Sequence, residues 1–362
     1  MTKKRVVVAM SGGVDSSVAA ALLKEKGYEV IGATICIGVM DGVERSAMRC
    51  CGPSDIEDAR RVALQLGISF YVFTLREEFE REVIQYFCEE YQRGRTPNPC
   101  VLCNEKIKFG SFLEKAKEFD ADFISTGHYA RLEFNKNTNH YLLKKGVDGK
   151  KDQSYVLFSL NQNQFQHTLF PLGTYRKEEI RRKAFDLGLR VHDKPESQEV
   201  CFIQDSSYHS FLSERLKESI ESGPIIDKEG NVLGKHKGIP FYTIGQRRGL
   251  RLAKGKPLYV IGIEREKNAI VVGEEKEVLG DTFLVDSVNW IHSQGTTSSL
   301  SAHVKIRYNH PGSEAILSLI GKDEVKVKFK APQRAITPGQ AAVFYDDETV
   351  LGGGWIKEVL KS

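Results

Sequence analysis

The stretch SGGVDSS (Ser11 to Ser17) stands between an apolar run and a helical pattern, and the fold turns on how that junction is read. Before it, RVVVAM (5–10) is a short, continuous apolar run, as expected of a strand buried on both faces. After it, SVAAALLKEKG (17–27) reads as a helix stopped by Gly27. A glycine-rich turn from a strand into a helix N-terminus aims backbone N–H groups at an anion. Gly12 and Gly13 keep side chains out of the path of a phosphate, and Ser11, Ser16 and Ser17 add hydroxyl donors. Asp15 supplies a carboxylate suited to Mg2+. The motif lacks both the Gly-Lys-Ser/Thr of a Walker loop and the G-x-G-x-x-G spacing of a dinucleotide fingerprint. A plain strand-to-helix turn capped by serines is the bland alternative.

Outward from this junction the alternation continues. EVIGATIC (29–36) reads as a strand, and a helix follows in SDIEDARRVALQLG, where Ser54 and Glu57 have capping-box spacing and Gly67 ends it. ISFYVFTL (68–75) is expected as a strand, EEFEREVIQYFCEEYQRG (77–94) as a helix, and ADFISTGHYA (121–130) as another strand. TPNPCVLCN (96–104) reads as a loop before the helical EKIKFGSFLEKAKEFD. Strands alternating with helices of this length imply an α/β domain with a parallel sheet covered on both faces. Near Ser222 the chain becomes rich in glycine and short β-like runs, with a turn at Lys228-Glu229-Gly230-Asn231. From about Asp281 it alternates. In VKVKFK, Val325, Val327 and Phe329 oppose Lys326, Lys328 and Lys330; in HVKIRY, Val304, Ile306 and Tyr308 oppose Lys305 and Arg307. The expected domains are 1–221 (α/β), 222–280 (small, central, β-rich) and 281–362 (antiparallel β-barrel).

A chain of 362 residues exceeds a single compact core. Its net charge of +4 permits a polyanionic partner only if the basic residues gather on one face. No apolar run approaches the roughly 20 residues of a membrane span, and the basic N-terminus meets Gly-Gly before a signal-peptide core could form. A cytoplasmic protein is expected. Its seven cysteines are then thiols, catalytic groups or metal ligands rather than structural staples. Cys100-x-x-Cys103 fits a zinc half-site, a redox pair or a nucleophile.

SGGVDSS resembles the pyrophosphate loop of the N-type ATP pyrophosphatases, which adenylate a carbonyl oxygen. TPNPCVLCN, KDQSYVLF (151–158) and FYTIGQRRGL (241–250), with ESQEVCFI (196–203), together resemble the tRNA-specific 2-thiouridylases, the MnmA family. The resemblance runs in order over essentially the whole chain. It implies thiolation of the wobble uridine of certain tRNAs at C2, with ATP, Mg2+, tRNA and an upstream persulfide or sulfide donor as reactants and partners. Monomer and homodimer both stay open.

Residue by residue, the resemblance implies that Ala9 and Met10, at the strand end, and Ser11, Gly12, Gly13, Val14, Asp15 and Ser16 hold the nucleotide. Gly127 joins them, and Ile35 lies where the second strand meets the adenine. Cys201 carries the persulfide, and Cys103 is the second catalytic cysteine. Asn98, Pro99 and Cys100 match the segment at the target base; Lys151, Asp152 and Gln153, and Arg307 with Tyr308, match tRNA contacts. His128 fits a phosphate donor or a structural role.

Cys100 departs from the pattern, since many members carry aspartate there. The three cysteines Cys100, Cys103 and Cys201 therefore leave a second mechanism open, a [4Fe–4S] cluster with one iron free for sulfide. Zinc, with a further ligand from Cys50, Cys51 or a histidine, is a third. Two rival functions are a small-molecule adenylating ligase, which leaves the cysteines unused, and an RNA-binding sulfur carrier without adenylation, which leaves the loop unused. Another RNA target is a further alternative.

Overall fold

The computed structural model describes residues 3–38, 52–195, 200–203, 208–252, 255–291 and 299–360. Strands β1 (Arg5–Ala9), β2 (Glu29–Cys36), β3 (Ser69–Thr74) and β4 (Phe123–Ser125) join the short strand Thr168–Leu169 in one parallel sheet. Its order is β3, β2, β1, β4, Thr168–Leu169. β1 lies between β2 and β4 with Val6, Val7 and Val8 fully buried, which is why its sequence is continuous rather than alternating.

Helix α1 (Val14–Glu25) packs against the sheet and against α2 (Pro53–Leu66) and the helix Lys177–Asp186. Most of its residues, from Val14 to Leu23, are buried, so apolar side chains surround it instead of forming one stripe. Burying Val18, Leu22 and Leu23 contributes about 1.5–3 kcal/mol each. Gly27, at φ +86°, turns the chain back towards β2 as expected.

Two local expectations fail. The capping box at Ser54 does not form: Gly52 is the N-cap and Pro53 the first helical residue, so Ser54 already lies inside the first turn. The end at Gly67 is as read, with a left-handed φ of 61°. TPNPCVLCN is also not a loop throughout. Helical backbone starts at Pro99 (Pro99–Leu102), widens into a π-helix over Cys103–Ser111, and returns to α over Phe112–Lys117. Proline there is compatible with a helix because the first-turn N–H has no intrahelical acceptor.

By contacts the chain divides into two compact units. One holds Met1–Val83, Cys100–Ser206 and Glu348–Val350; the other holds Ile84–Pro99, Ser207–Asp347 and Leu351–Ser362. Besides the parallel sheet, the first carries the hairpin Ala130–Asn135 and His140–Lys145, in which Thr349 pairs with Lys144.

The second unit contains a four-stranded sheet in the order Tyr259–Glu264, Ala269–Gly273, Gly223–Ile226, Val232–His236. Ile225, Val260, Ile270 and Val272 form its core with Tyr242 and Leu250. It also contains an antiparallel barrel. The strand Leu279–Trp290 pairs with Val325–Arg334 on one side and with Thr349–Leu360 on the other, closing the sheet. Closure pairs the two end strands of the barrel with each other and so protects their edges. Val325, Val327 and Phe329 point inward and Lys326, Lys328 and Lys330 outward, as the alternation requires. Val304 and Ile306 also reach the core, but the strand Ser299–Lys305 has ended before Tyr308, which is 38% exposed instead of sharing the inward row.

Candidate active site

The turn after β1 has the geometry of an anion cradle. Gly13, in extended conformation, is the N-cap of α1. Gly12 takes a φ of +71°, and a Cβ on it would lie 2.2 Å from the Asp55 carbonyl oxygen. Across the loop, a Cβ on Gly127 would come within 2.9 Å of the Ser16 nitrogen. Both glycines are therefore required by close backbone approach, and Gly12 also by its left-handed φ.

The serine hydroxyls turn into the loop. Ser17 Oγ donates to the Gly13 carbonyl at 2.8 Å, and Ser16 Oγ accepts the Ser11 N–H at 3.1 Å. Ser16 and Ser17 are buried, so they fix the shape of the loop and leave backbone N–H groups as its ligand donors. Thr34 Oγ1, on β2, donates to the Met10 carbonyl at 2.7 Å. Ile35 is the next residue and is half-buried.

Two lysines that the sequence did not single out surround this loop. Lys177 Nζ donates to both carboxylate oxygens of Asp15, each at 2.7 Å, and Tyr129 Oη donates to Asp15 Oδ1 at 2.7 Å. Lys194 Nζ donates to the Gly12 carbonyl at 3.0 Å, to Asp55 at 2.7 Å and to Asp58 at 2.6 Å. Partial burial works against the Lys194 charge, but its bonds to Asp55 and Asp58 outweigh that and raise its pKa. Nothing in the sequence spacing of either lysine points to residue 12 or 15.

Both carboxylate oxygens of Asp15, the residue expected to hold Mg2+, are bonded to the Lys177 ammonium. His128, expected as a phosphate donor or a structural residue, is buried. Burial, with the Lys108 charge adding to it, drives its pKa well below the usual histidine value. Its Nδ1 shares a 2.7 Å hydrogen bond with Thr126 Oγ1.

Cys100 is exposed in the first turn of the helix that Pro99 opens, and Cys103 is half-buried where the π-helix begins. π segments leave carbonyls poorly satisfied. Here Gln164 Nε2 donates to the Glu105 and Phe109 carbonyls at 3.0 and 2.9 Å and stabilises the widened turn. Asn104, buried beside Cys103, donates from Nδ2 to the Val156 carbonyl at 3.0 Å. Cys201 is half-buried, whereas its neighbour Phe202 is buried against Phe79 with ring centroids 5.7 Å apart. Burial in an apolar pocket thus belongs to Phe202, and Cys201 retains access to solvent.

Among the described residues, no three His, Cys, Asp or Glu side chains are gathered to hold a metal ion. Cys100, Cys103 and Cys201, expected as possible [4Fe–4S] or zinc ligands, are thus not gathered into such a group among the described residues. Cys50 and Cys51 lie outside the described residues.

The stretch Lys151–Gln153 is tied to the same region. Gln153 accepts the Tyr129 N–H through Oε1 at 2.9 Å and donates its own N–H to the Tyr129 carbonyl at 2.9 Å. Asp152 is buried, and its carboxylate accepts the N–H groups of Gly146 and Ser154 and the Ser154 hydroxyl. It shapes the stretch, which leaves the half-buried Lys151 as its cationic side chain.

In the second unit, Gln340 Nε2 donates to the Thr96 and Pro97 carbonyls at 3.0 Å each, fixing the chain just before Asn98 and Pro99. Sequence reasoning missed Gln340, because a glutamine in a β-rich segment carries no motif. Arg307 donates from Nη1 to the Arg334 carbonyl at 3.0 Å beside the exposed Tyr308. No helix of the described residues is long and apolar enough to cross a membrane.

Three family models cover the chain in sequence: a tRNA methyl transferase HUP domain over residues 4–205, a tRNA methyl transferase PRC-barrel domain over 209–274, and an aminomethyltransferase β-barrel domain over 280–356. The chain is 53% identical to the tRNA-specific 2-thiouridylase MnmA of Halothermothrix orenii over 98% of this chain and 99% of the relative. The protein of that name from Carboxydothermus hydrogenoformans is 50% identical over 99% of both chains. That from Desulforamulus reducens is 49% identical over 99% of this chain and 98% of its own. Identity of this order along the full length shows that the chain belongs to the family of tRNA-specific 2-thiouridylases.

Proposed function

We propose that this chain is an ATP-dependent tRNA-uridine 2-sulfurtransferase, which replaces the C2 oxygen of a wobble uridine with sulfur. The observation that carries the reading is full-length identity of about half to 2-thiouridylases in a chain whose α/β unit holds both a phosphate loop and solvent-accessible Cys103 and Cys201. A uracil C2 carbonyl is a poor electrophile whose oxygen cannot leave. Attack of that oxygen on the α-phosphorus of ATP, taken as its Mg2+ complex, expels pyrophosphate and turns the oxygen into part of an AMP leaving group.

Sulfur reaches the site as a persulfide on Cys201: the Cys201 thiolate takes the outer sulfur of a persulfide donor, which departs as its thiolate. The Cys103 thiolate attacks the Cys201 sulfur, forming a Cys103–Cys201 disulfide and releasing hydrosulfide. Hydrosulfide adds to C2, AMP departs with the original oxygen, and an external thiol reductant restores both cysteines.

The test is a tRNA transcript incubated with ATP, a persulfide donor and a thiol reductant. A wobble uridine is expected to become 2-thiouridine with release of AMP and pyrophosphate, and a wobble cytidine to release neither. ATP consumption on a small molecule with no sulfur gained by tRNA would favour an adenylating ligase instead. Arg307 is taken as a phosphate contact beside a stacking ring. Arg307→Ala should weaken tRNA binding about 3- to 10-fold and reduce the slope of log affinity against log salt by about one. An unchanged affinity and slope in a salt titration would refute that contact.

A further inference from the structure

The Asp15–Lys177 pair has a function beyond holding two segments together. Asp15 sits in the first turn of α1, the turn that faces an anion in this loop, and a carboxylate there opposes polyphosphate. Lys177 meets it with both carboxylate oxygens at 2.7 Å, from a side chain only 9% exposed. The ammonium also lies 5.8 Å from the centre of the Tyr129 ring, and Tyr129 donates its own hydroxyl to Asp15. Lys177 opens its helix and is held there by its N–H, which donates to Asp148 at 3.0 Å. The lysine therefore comes to Asp15 from a separately anchored element, 162 residues away in sequence.

We infer that Lys177 is the resident cation of the phosphate loop: it masks Asp15, so that incoming polyphosphate meets backbone N–H groups instead of a bare carboxylate. The loop has no lysine of its own, unlike a Walker loop, and the masking charge is supplied from the helix Lys177–Asp186. Asp15 is then the partner of an ammonium and not a metal ligand. The inference rests on reading SGGVDSS as a phosphate site.

Masking predicts single substitutions of opposite sign, which a purely structural ion pair does not. Lys177→Met exposes the Asp15 charge and should weaken inorganic pyrophosphate binding at least 10-fold in metal-free buffer. Asp15→Asn removes the repelling charge and leaves the cation in place, so affinity should stay equal or rise. The double variant Asp15→Asn/Lys177→Met has neither charge and should return to within about threefold of the wild type, even where Lys177→Met alone folds poorly. The measurement is a calorimetric pyrophosphate titration of the full chain, with a melting curve for each variant. Equal affinity in Lys177→Met and wild type, or parallel losses in both single variants, would overturn the masking role while leaving the phosphate site intact. A wild-type chain that takes no pyrophosphate would overturn the phosphate site itself, and the masking role with it.

Discussion

Cys201→Ser is expected to abolish thiolation, lowering 2-thiouridine formation by at least about 100-fold, while pyrophosphate release and tRNA affinity stay within a few-fold of the wild type. The reason is a division of labour. Adenylation needs the loop after β1 and the uracil oxygen; sulfur delivery needs a thiol that a donor can reach. Cys201 meets the second requirement, being half-buried while Phe202 beside it anchors the segment against Phe79. A serine keeps the size of the side chain and leaves that anchor in place, so a loss confined to sulfur transfer is chemical rather than structural.

Cys103→Ser should fail at the next step. The variant accepts sulfur on Cys201 but cannot release it, so mass spectrometry of the protein after exposure to the donor should find one additional sulfur atom retained on the Cys201 peptide. Wild-type rates in either variant would sink the assignment of these two residues. Loss of pyrophosphate release in step with thiolation would assign them to binding instead.

The parts of this fold that were legible in the sequence are those set by short-range rules. The apolar run RVVVAM reads as a buried strand, and β1 lies between two parallel neighbours. VKVKFK could only be a strand with one wet face, and its lysines are outside. The failures have equally local causes. Ser54 has capping-box spacing with Glu57, but Gly52 and Pro53 start the helix two residues earlier, where extended backbone and a missing N–H suit the entry better. The two prolines of TPNPC suggested a loop, yet Pro99 takes the helical position where proline is tolerated, so both cysteines of C-x-x-C fall on helical backbone. The loop SGGVDSS was readable because its glycines and serines are consecutive. Lys177 and Lys194 were not, since what brings them to Asp15 and Gly12 is the packing of separate elements, and no periodicity encodes that distance.

Gly12→Ala is expected to be the most damaging single change outside the cysteines, and Gly13→Ala one of the mildest in the same loop. At Gly12 two penalties add. A φ of +71° costs an alanine roughly 1–2 kcal/mol relative to glycine. The new methyl would lie 2.2 Å from the Asp55 carbonyl oxygen, which is helix backbone and cannot rotate away. Forcing such a contact costs about 1–3 kcal/mol more. The sum, about 2–5 kcal/mol, corresponds to roughly 30- to 4000-fold in ATP affinity if the loop must recover its native shape to bind. The Gly12 carbonyl also accepts from Lys194, so displacing it loosens the clip to Asp55 and Asp58 as well.

Gly13 has none of these constraints: its φ is −97°, and a Cβ there would meet only Ser11 Oγ at 3.5 Å, an ordinary contact. Gly13→Ala should therefore bind ATP within about tenfold of the wild type, the residual cost being a methyl near the phosphate path. The pair is best measured together by ATP titration and pyrophosphate release, with tRNA affinity as the control for folding of the second unit. Gly12→Ala with normal ATP affinity would mean that α2 yields easily and that the close approach at Asp55 is not part of what shapes the loop. Equal damage from both substitutions would mean that any side chain at the mouth blocks phosphate, and that conformation at residue 12 is not the controlling term.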